Sequence, residues 1–185
     1  MGLDAEKTAL VIIDMQERLF AAIHGRDPIL KNVELLVHLA RTFRLPILVT
    51  EQYPKGLGRT LPSLASLLGD AYRPIEKATF SCLGNAHFRE SLAVLAAEGR
   101  REVIVCGIET HICVYQTARD LKREGDWKIH LAADATGSRA EANRRWGLDL
   151  MRDEGIPVKP VETILYEMLQ RAGTPEFKAM LPYIK

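Results

Sequence analysis

At 185 residues, with 47% hydrophobic and 26% charged side chains, the chain has the make-up of a globular protein with one sizeable core. Its 25 basic and 24 acidic residues are interspersed and leave a formal net charge of +1, which removes the electrostatic footprint of a nucleic-acid binder or of a protein held on an acidic membrane. No apolar run approaches the roughly 20 residues that span a bilayer, so the expected partner is a small molecule or another protein.

Three cysteines, Cys82, Cys106 and Cys113, include no C-x-x-C pair, and their odd number argues against a disulfide framework. A reducing cytoplasm is the expected setting. The first apolar run arrives without a basic leader or a long hydrophobic stretch, so no secretory signal is expected.

In chain order, residues 8–13 form a β-branched apolar run that stops at Asp14, the pattern of a strand buried on both faces. Residues 28–43 carry apolar side chains at helical spacing, with Asp27 read as the cap and Pro28 as the first-turn proline. Residues 46–50 read as a second strand and 51–58 as a loop leaving the same sheet edge as Asp14. A short helix over 61–68 and a short strand over 73–77, ending near Lys77, come next. An amphipathic helix spans 85–98, a fourth strand 102–106, and a helix 110–124. A fifth strand spans 128–133, a helix 140–153 and a last strand 158–161, and helices over 162–171 and 175–180 finish the chain.

Strands alternating with helices across short turns predict an α/β fold: one domain over residues 1–185, built as a three-layer α/β/α sandwich around a mostly parallel, six-stranded, Rossmann-like sheet. No linker, repeat or low-complexity tract marks a second domain. The switch in strand order is expected between the first and fourth strands, which puts Asp14 beside the turn that carries Cys113. No G-x-G-x-x-G follows the first strand, which disfavours dinucleotide binding.

An inventory of reactive groups at strand ends gives Asp14, Lys77 and Cys113. A thiol nucleophile needs a base for its proton and a charge that stabilises its anion, and a carboxylate with a lysine supplies both. Backbone N–H groups of the turn before Cys113 are placed by sequence to receive an oxyanion. Singly, each residue has a plainer reading: Cys113 as a small buried hydrophobe, Asp14 as a helix cap, Lys77 as a solvated charge. Cys106 reads as core and Cys82 as incidental in a loop. His111, two residues from Cys113 on a helix, does not face it and reads as supporting or surface. A non-catalytic binding protein and a redox-sensing thiol stay open beside the hydrolase reading.

The segments Asp14-Met15-Gln16, Glu76-Lys77-Ala78-Thr79-Phe80 and Cys106 through Val114 together resemble the isochorismatase-like cysteine hydrolases, over essentially the whole chain. Residues 50–58 and Phe80-Ser81-Cys82 resemble the branch of isochorismatase domain-containing proteins. The resemblance implies an Asp14–Lys77–Cys113 triad, a cis peptide between Ile108 and Glu109, and an oxyanion hole from the N–H groups of Glu109 and Cys113. It also implies a homo-oligomer, a dimer or larger. Where nicotinamidases of the superfamily carry a metal-binding Asp-x-His, this chain reads Glu51-Gln52-Tyr53, so neither a metal nor another cofactor is expected. Members of the superfamily act on amides, carbamoyl groups and vinyl ethers, which leaves the substrate open. Phe20, Tyr53, Phe80 and Glu109 are expected near the carboxyl edge as pocket walls, and Glu51 and Gln52, if they face the pocket, favour a small polar substrate.

Overall fold

The computed structural model describes residues 2–184. Six strands, β1 (Thr8–Ile13), β2 (Ile47–Gln52), β3 (Ile75–Lys77), β4 (Glu102–Ile108), β5 (Lys128–Gly137) and β6 (Val158–Lys159), form one sheet in the order β3-β2-β1-β4-β5-β6. Every pairing in it is parallel. The order reverses between β1 and β4, where the sequence places the switch point.

Alternation along the strands builds the two outer layers. Leu10 and Ile12 of β1, with Ile104, Cys106 and Ile108 of β4, pack on α2 (Arg26–Thr42), α8 (Val161–Leu169) and α9 (Pro175–Ile184). Ala9, Val11 and Ile13, with Val103 and Val105, face α5 (Ala86–Ala97), α6 (Tyr115–Arg123) and α7 (Glu141–Asp153). Burial of β1 on both faces explains its unbroken apolar sequence.

Several element ends differ from the sequence reading for local reasons. Helix α2 begins at Arg26 behind Gly25, which is left-handed at φ 60°. Asp27 therefore lies inside the first turn instead of capping it, and Pro28 falls third, where its missing N–H would have had no intrahelical acceptor. Strand β5 runs on to Gly137, four residues beyond the expected end at 133, with a register shift between Val105 and Gly107 of its neighbour. Asp134 Oδ1 accepts the Val161 N–H at 2.7 Å and so ties down the start of α8, which also limits β6 to two residues. Asn85 caps α5 by accepting the Phe88 N–H at 3.1 Å. The supposed loop after β2 contains the short helix α3 (Pro54–Leu57), α4 is Pro62–Leu68, and a helix not anticipated from sequence, α1 (Glu17–Ala21), follows β1.

One glycine fixes the centre of the sheet. Gly107 pairs with Ile13 and has φ 116°, and a β-carbon there would sit 2.0 Å from the Ile13 carbonyl oxygen. No side chain fits, so β1 and β4 meet backbone to backbone just where both strands end.

Candidate active site

The strand ends β1, β2 and β3 and the turn after β4 deliver five side chains, Asp14, Thr50, Gln52, Lys77 and Cys113, to one buried point. Asp14 follows β1 with φ 53°, a left-handed conformation that aspartate tolerates better than most residues. Its N–H donates to Thr50 O at 3.2 Å, while its own carbonyl accepts the Gln16 N–H at 2.7 Å. In β3 the exposed Glu76 sits between buried Ile75 and Lys77, so the period-two pattern turns the Lys77 chain inward.

The Lys77 ammonium is enclosed by oxygen. It donates to Asp14 Oδ2 and Gln52 Oε1, each at 2.8 Å, and lies 3.2 and 3.3 Å from the carbonyls of Thr79 and Phe80. Burial works against its charge, but Asp14 together with Cys82 and Cys113 outweighs that, and the ammonium is held above its ordinary pKa. The other Asp14 oxygen, Oδ1, accepts the Thr50 hydroxyl at 2.7 Å.

Cys113 sits in a wide π-helical turn, Thr110–Val114, that opens into α6. Burial pushes its thiol up to about 12, and Asp14, as a charge and as a hydrogen-bond acceptor, adds to that push against the opposing Lys77. Low polarity around the sulfur outweighs the lysine, so at neutral pH Cys113 is held as a thiol beside Asp14. Cys82, in the 3-10 turn Cys82–Gly84, is fully buried, and burial pushes it up to about 11. Its sulfur lies 3.9 Å from Thr50 Oγ1 and its N–H donates to Thr117 Oγ1 at 3.0 Å. It is thus packed beneath the cluster and is not the incidental loop residue read from sequence. Burial alone raises Cys106, which lies in the core on the other face of the sheet.

These shifts set the alkaline stability. Cys82, Cys113 and Lys77 all hold their protons more tightly folded than unfolded, so above about pH 9 the unfolded chain binds fewer protons and stability falls with rising pH. Their contribution is complete below that pH and lost on the way to about 12. The midpoint of urea unfolding is expected to be flat from pH 7 to 8.5 and to decline between about 9 and 10.5, less steeply in Cys82→Ala. An equal decline in that variant would show that the buried thiol is not a source of the dependence.

The remaining anticipated residues divide. Gln52 reaches the site, where it holds Lys77 and donates through Nε2 to Ala78 O at 2.8 Å. Glu51 does not face the pocket, because its buried carboxylate accepts from Thr60 N–H, Thr60 hydroxyl, Tyr72 hydroxyl and Arg59. Burial opposes its charge, yet those donors prevail and hold its carboxyl below the ordinary value. Phe20 lies in α1 with its ring in the core, and so forms no loop wall. Tyr53 and Phe80, 60% and 55% exposed, stand on the loops beside Gln52 and Lys77. Glu109 turns its carboxylate to the backbone N–H and Nε of Arg139, at 2.8 and 3.0 Å. The Ile108–Glu109 peptide is cis. His111 Nδ1 is 2.9 Å from Ser138 Oγ.

Sequence reasoning missed Thr50, Cys82 and Gln16. Gln16 clamps β1 to β2: its Oε1 accepts the Gln52 N–H at 2.7 Å, and its Nε2 donates to Gln52 O and Gly58 O at 3.0 and 2.7 Å. For Thr50 a signal existed, since a hydroxyl at the carboxyl end of the strand next to Asp14 is within reach of it in a parallel sheet. Thr117, one turn after Cys113, points to Cys82 by the same kind of spacing.

The sequence profile of the isochorismatase domain matches residues 8–163. The chain is 33% identical over 176 residues to isochorismatase domain-containing protein 2 of Danio rerio, covering 95% of this chain and 86% of that one. It is 37% identical over 179 residues to isochorismatase domain-containing protein 1 of Salmo salar, covering 96% of this chain and 61% of the relative's length. Among solved structures, MAR1 ribonuclease from Caenorhabditis elegans superposes with a TM-score of 0.89 at 31% identity, over 100% of this chain and 92% of that one. With its six-stranded parallel sheet and this span of similarity, the chain belongs to the isochorismatase family of hydrolases.

Proposed function

We propose that the protein is a cysteine hydrolase that cleaves a small amide-like or related carbonyl compound through a thioester. Cys113 transfers its proton to Asp14 as its sulfur bonds to the carbonyl carbon. The N–H groups of Glu109 and Cys113 receive the oxyanion. Collapse of the tetrahedral intermediate breaks the carbon–nitrogen bond, and Asp14 returns the proton to the leaving nitrogen. Water then attacks the thioester with Asp14 again as base, the acid departs and the thiol is restored. Lys77 gives up no proton in this scheme: committed to Asp14 and Gln52, it stays cationic and favours negative charge on its neighbours.

The observation that carries the reading is the enclosed ion pair of Asp14 and Lys77, 2.8 Å apart, beside a thiol from a third element. All three residues are buried, so only a small group reaches the sulfur. Exposed Tyr53 and Phe80 form the rim in this reading, and the scheme requires no cofactor. The chain acts as one domain and assembles as a homo-oligomer, for which Trp146 and Leu150, exposed one turn apart on α7, offer an apolar face. Three free cysteines suit a reducing cytoplasm.

Iodoacetamide at neutral pH, with the label mapped by mass spectrometry, tests the first step. Cys113 is expected to react at least about tenfold faster than Cys82 or Cys106, and Asp14→Asn to remove that preference. Equal reactivity of the three would end the nucleophile reading.

A further inference from the structure

The Asp14 carboxylate is held from both sides, and only one holder, Lys77, belongs to the proposed triad. The other is Thr50, which accepts the Asp14 N–H on its carbonyl and donates its hydroxyl to Oδ1. A hydroxyl has one proton to give and two sites that accept. Below it, Cys82 is protonated at neutral pH, and its S–H is directed at Thr50 Oγ1 across 3.9 Å. A donor already facing that oxygen leaves the Thr50 proton one favourable direction, toward Asp14. Thr117 fixes Cys82 in turn by accepting its N–H. The result is an ordered chain from α6 through Cys82 and Thr50 to the carboxylate.

We propose that Thr50 is a positioning residue for the reaction, holding the Asp14 carboxylate in a single rotation, with Cys82 orienting the Thr50 proton. With Oδ1 on Thr50 and Oδ2 on Lys77, the carboxylate cannot turn, and its unused lone pairs stay available to the Cys113 thiol. Without the hydroxyl the carboxylate is tied by a side chain on the Lys77 side only and can rotate out of line with the thiol. The inference rests on the hydrolase reading, in which Asp14 is the base.

The test is the rate of Cys113 alkylation by iodoacetamide, a neutral probe, at neutral pH in the full-length protein, beside a urea titration. In Thr50→Val, which keeps the shape and removes the hydroxyl, the rate is expected to fall about tenfold. Thr50→Ser, which restores the hydroxyl, is expected to follow the wild type. Cys82→Ala should lower the rate by less, because the hydroxyl survives but is free to point elsewhere. A Thr50→Val rate equal to that of the wild type, or a Thr50→Ser rate lowered as far as that of Thr50→Val, overturns the assignment. A merely structural role would lower the unfolding midpoint and leave the Cys113 rate in place, which also overturns it. If instead the wild-type Cys113 reacts no faster than Cys82 and Cys106, the hydrolase reading itself has failed.

Discussion

Cys113→Ala is expected to reduce turnover of any compound that the protein hydrolyses by about 10⁴-fold or more, the scale seen when a covalent nucleophile is removed. No other group at the site can replace it. Asp14 is engaged by Thr50 and Lys77, Lys77 is a cation without a free electron pair, and Cys82 lies buried on the far side of Thr50. The variant should fold normally, since alanine leaves only the volume of a sulfur in the turn between β4 and α6. Cys113→Ser should also lose most activity, because a hydroxyl gives up its proton less readily than a thiol in the same apolar setting. The measurement is single-turnover hydrolysis of an identified substrate beside a urea titration. Unchanged turnover by a folded Cys113→Ala would mean that Asp14 and Lys77 act on the substrate directly, without a covalent step.

The second large effect is on stability. Lys77→Met removes the cation from a fully buried pair and leaves the Asp14 carboxylate with only neutral side-chain donors, the Thr50 hydroxyl and the Cys113 thiol. Stranding a buried charge in this way costs about 3–5 kcal/mol, while replacing both partners by neutral groups of similar size costs far less. The double variant Asp14→Asn with Lys77→Met should therefore be more stable than Lys77→Met alone, a non-additivity that urea midpoints resolve directly. If the two substitutions add, the ion pair is not coupled and the lysine acts through its packing. Both variants should be inactive, which separates what the pair does for the fold from what it does for the reaction.

The parts of the molecule that were legible in the sequence are those decided by short-range pattern. The apolar runs of β1 and β4 announce a parallel sheet, and a strand that stops at a carboxylate announces a site. Asp14, Lys77 and Cys113 were visible because each is a reactive side chain at an element end. Distant partners decided the rest. Glu51 looked like a pocket residue until Thr60 and Tyr72 claimed its carboxylate. Phe20 is aromatic near the right edge, but α1 folds it into the core. Proximity of Cys113 to a lysine is readable from motif order, whereas the depth of burial that keeps it a thiol is not. Cys82 was invisible for a related reason: its turn lies 32 residues from Thr50 and 35 from Thr117, so nothing local marks it.

The contact between Gly107 and Ile13 has a consequence for where motion can enter. Because β1 and β4 touch through backbone alone at their ends, the separation of the base from the turn that carries the thiol is inherited from the two innermost strands. Such strands exchange their amide hydrogens only through whole-molecule opening. In the proposed mechanism Asp14 and Cys113 thus keep their alignment for as long as the chain is folded. Admission of a substrate would then fall to the residues that border the lysine from outside, Tyr53 and the segment from Thr79 to Phe80.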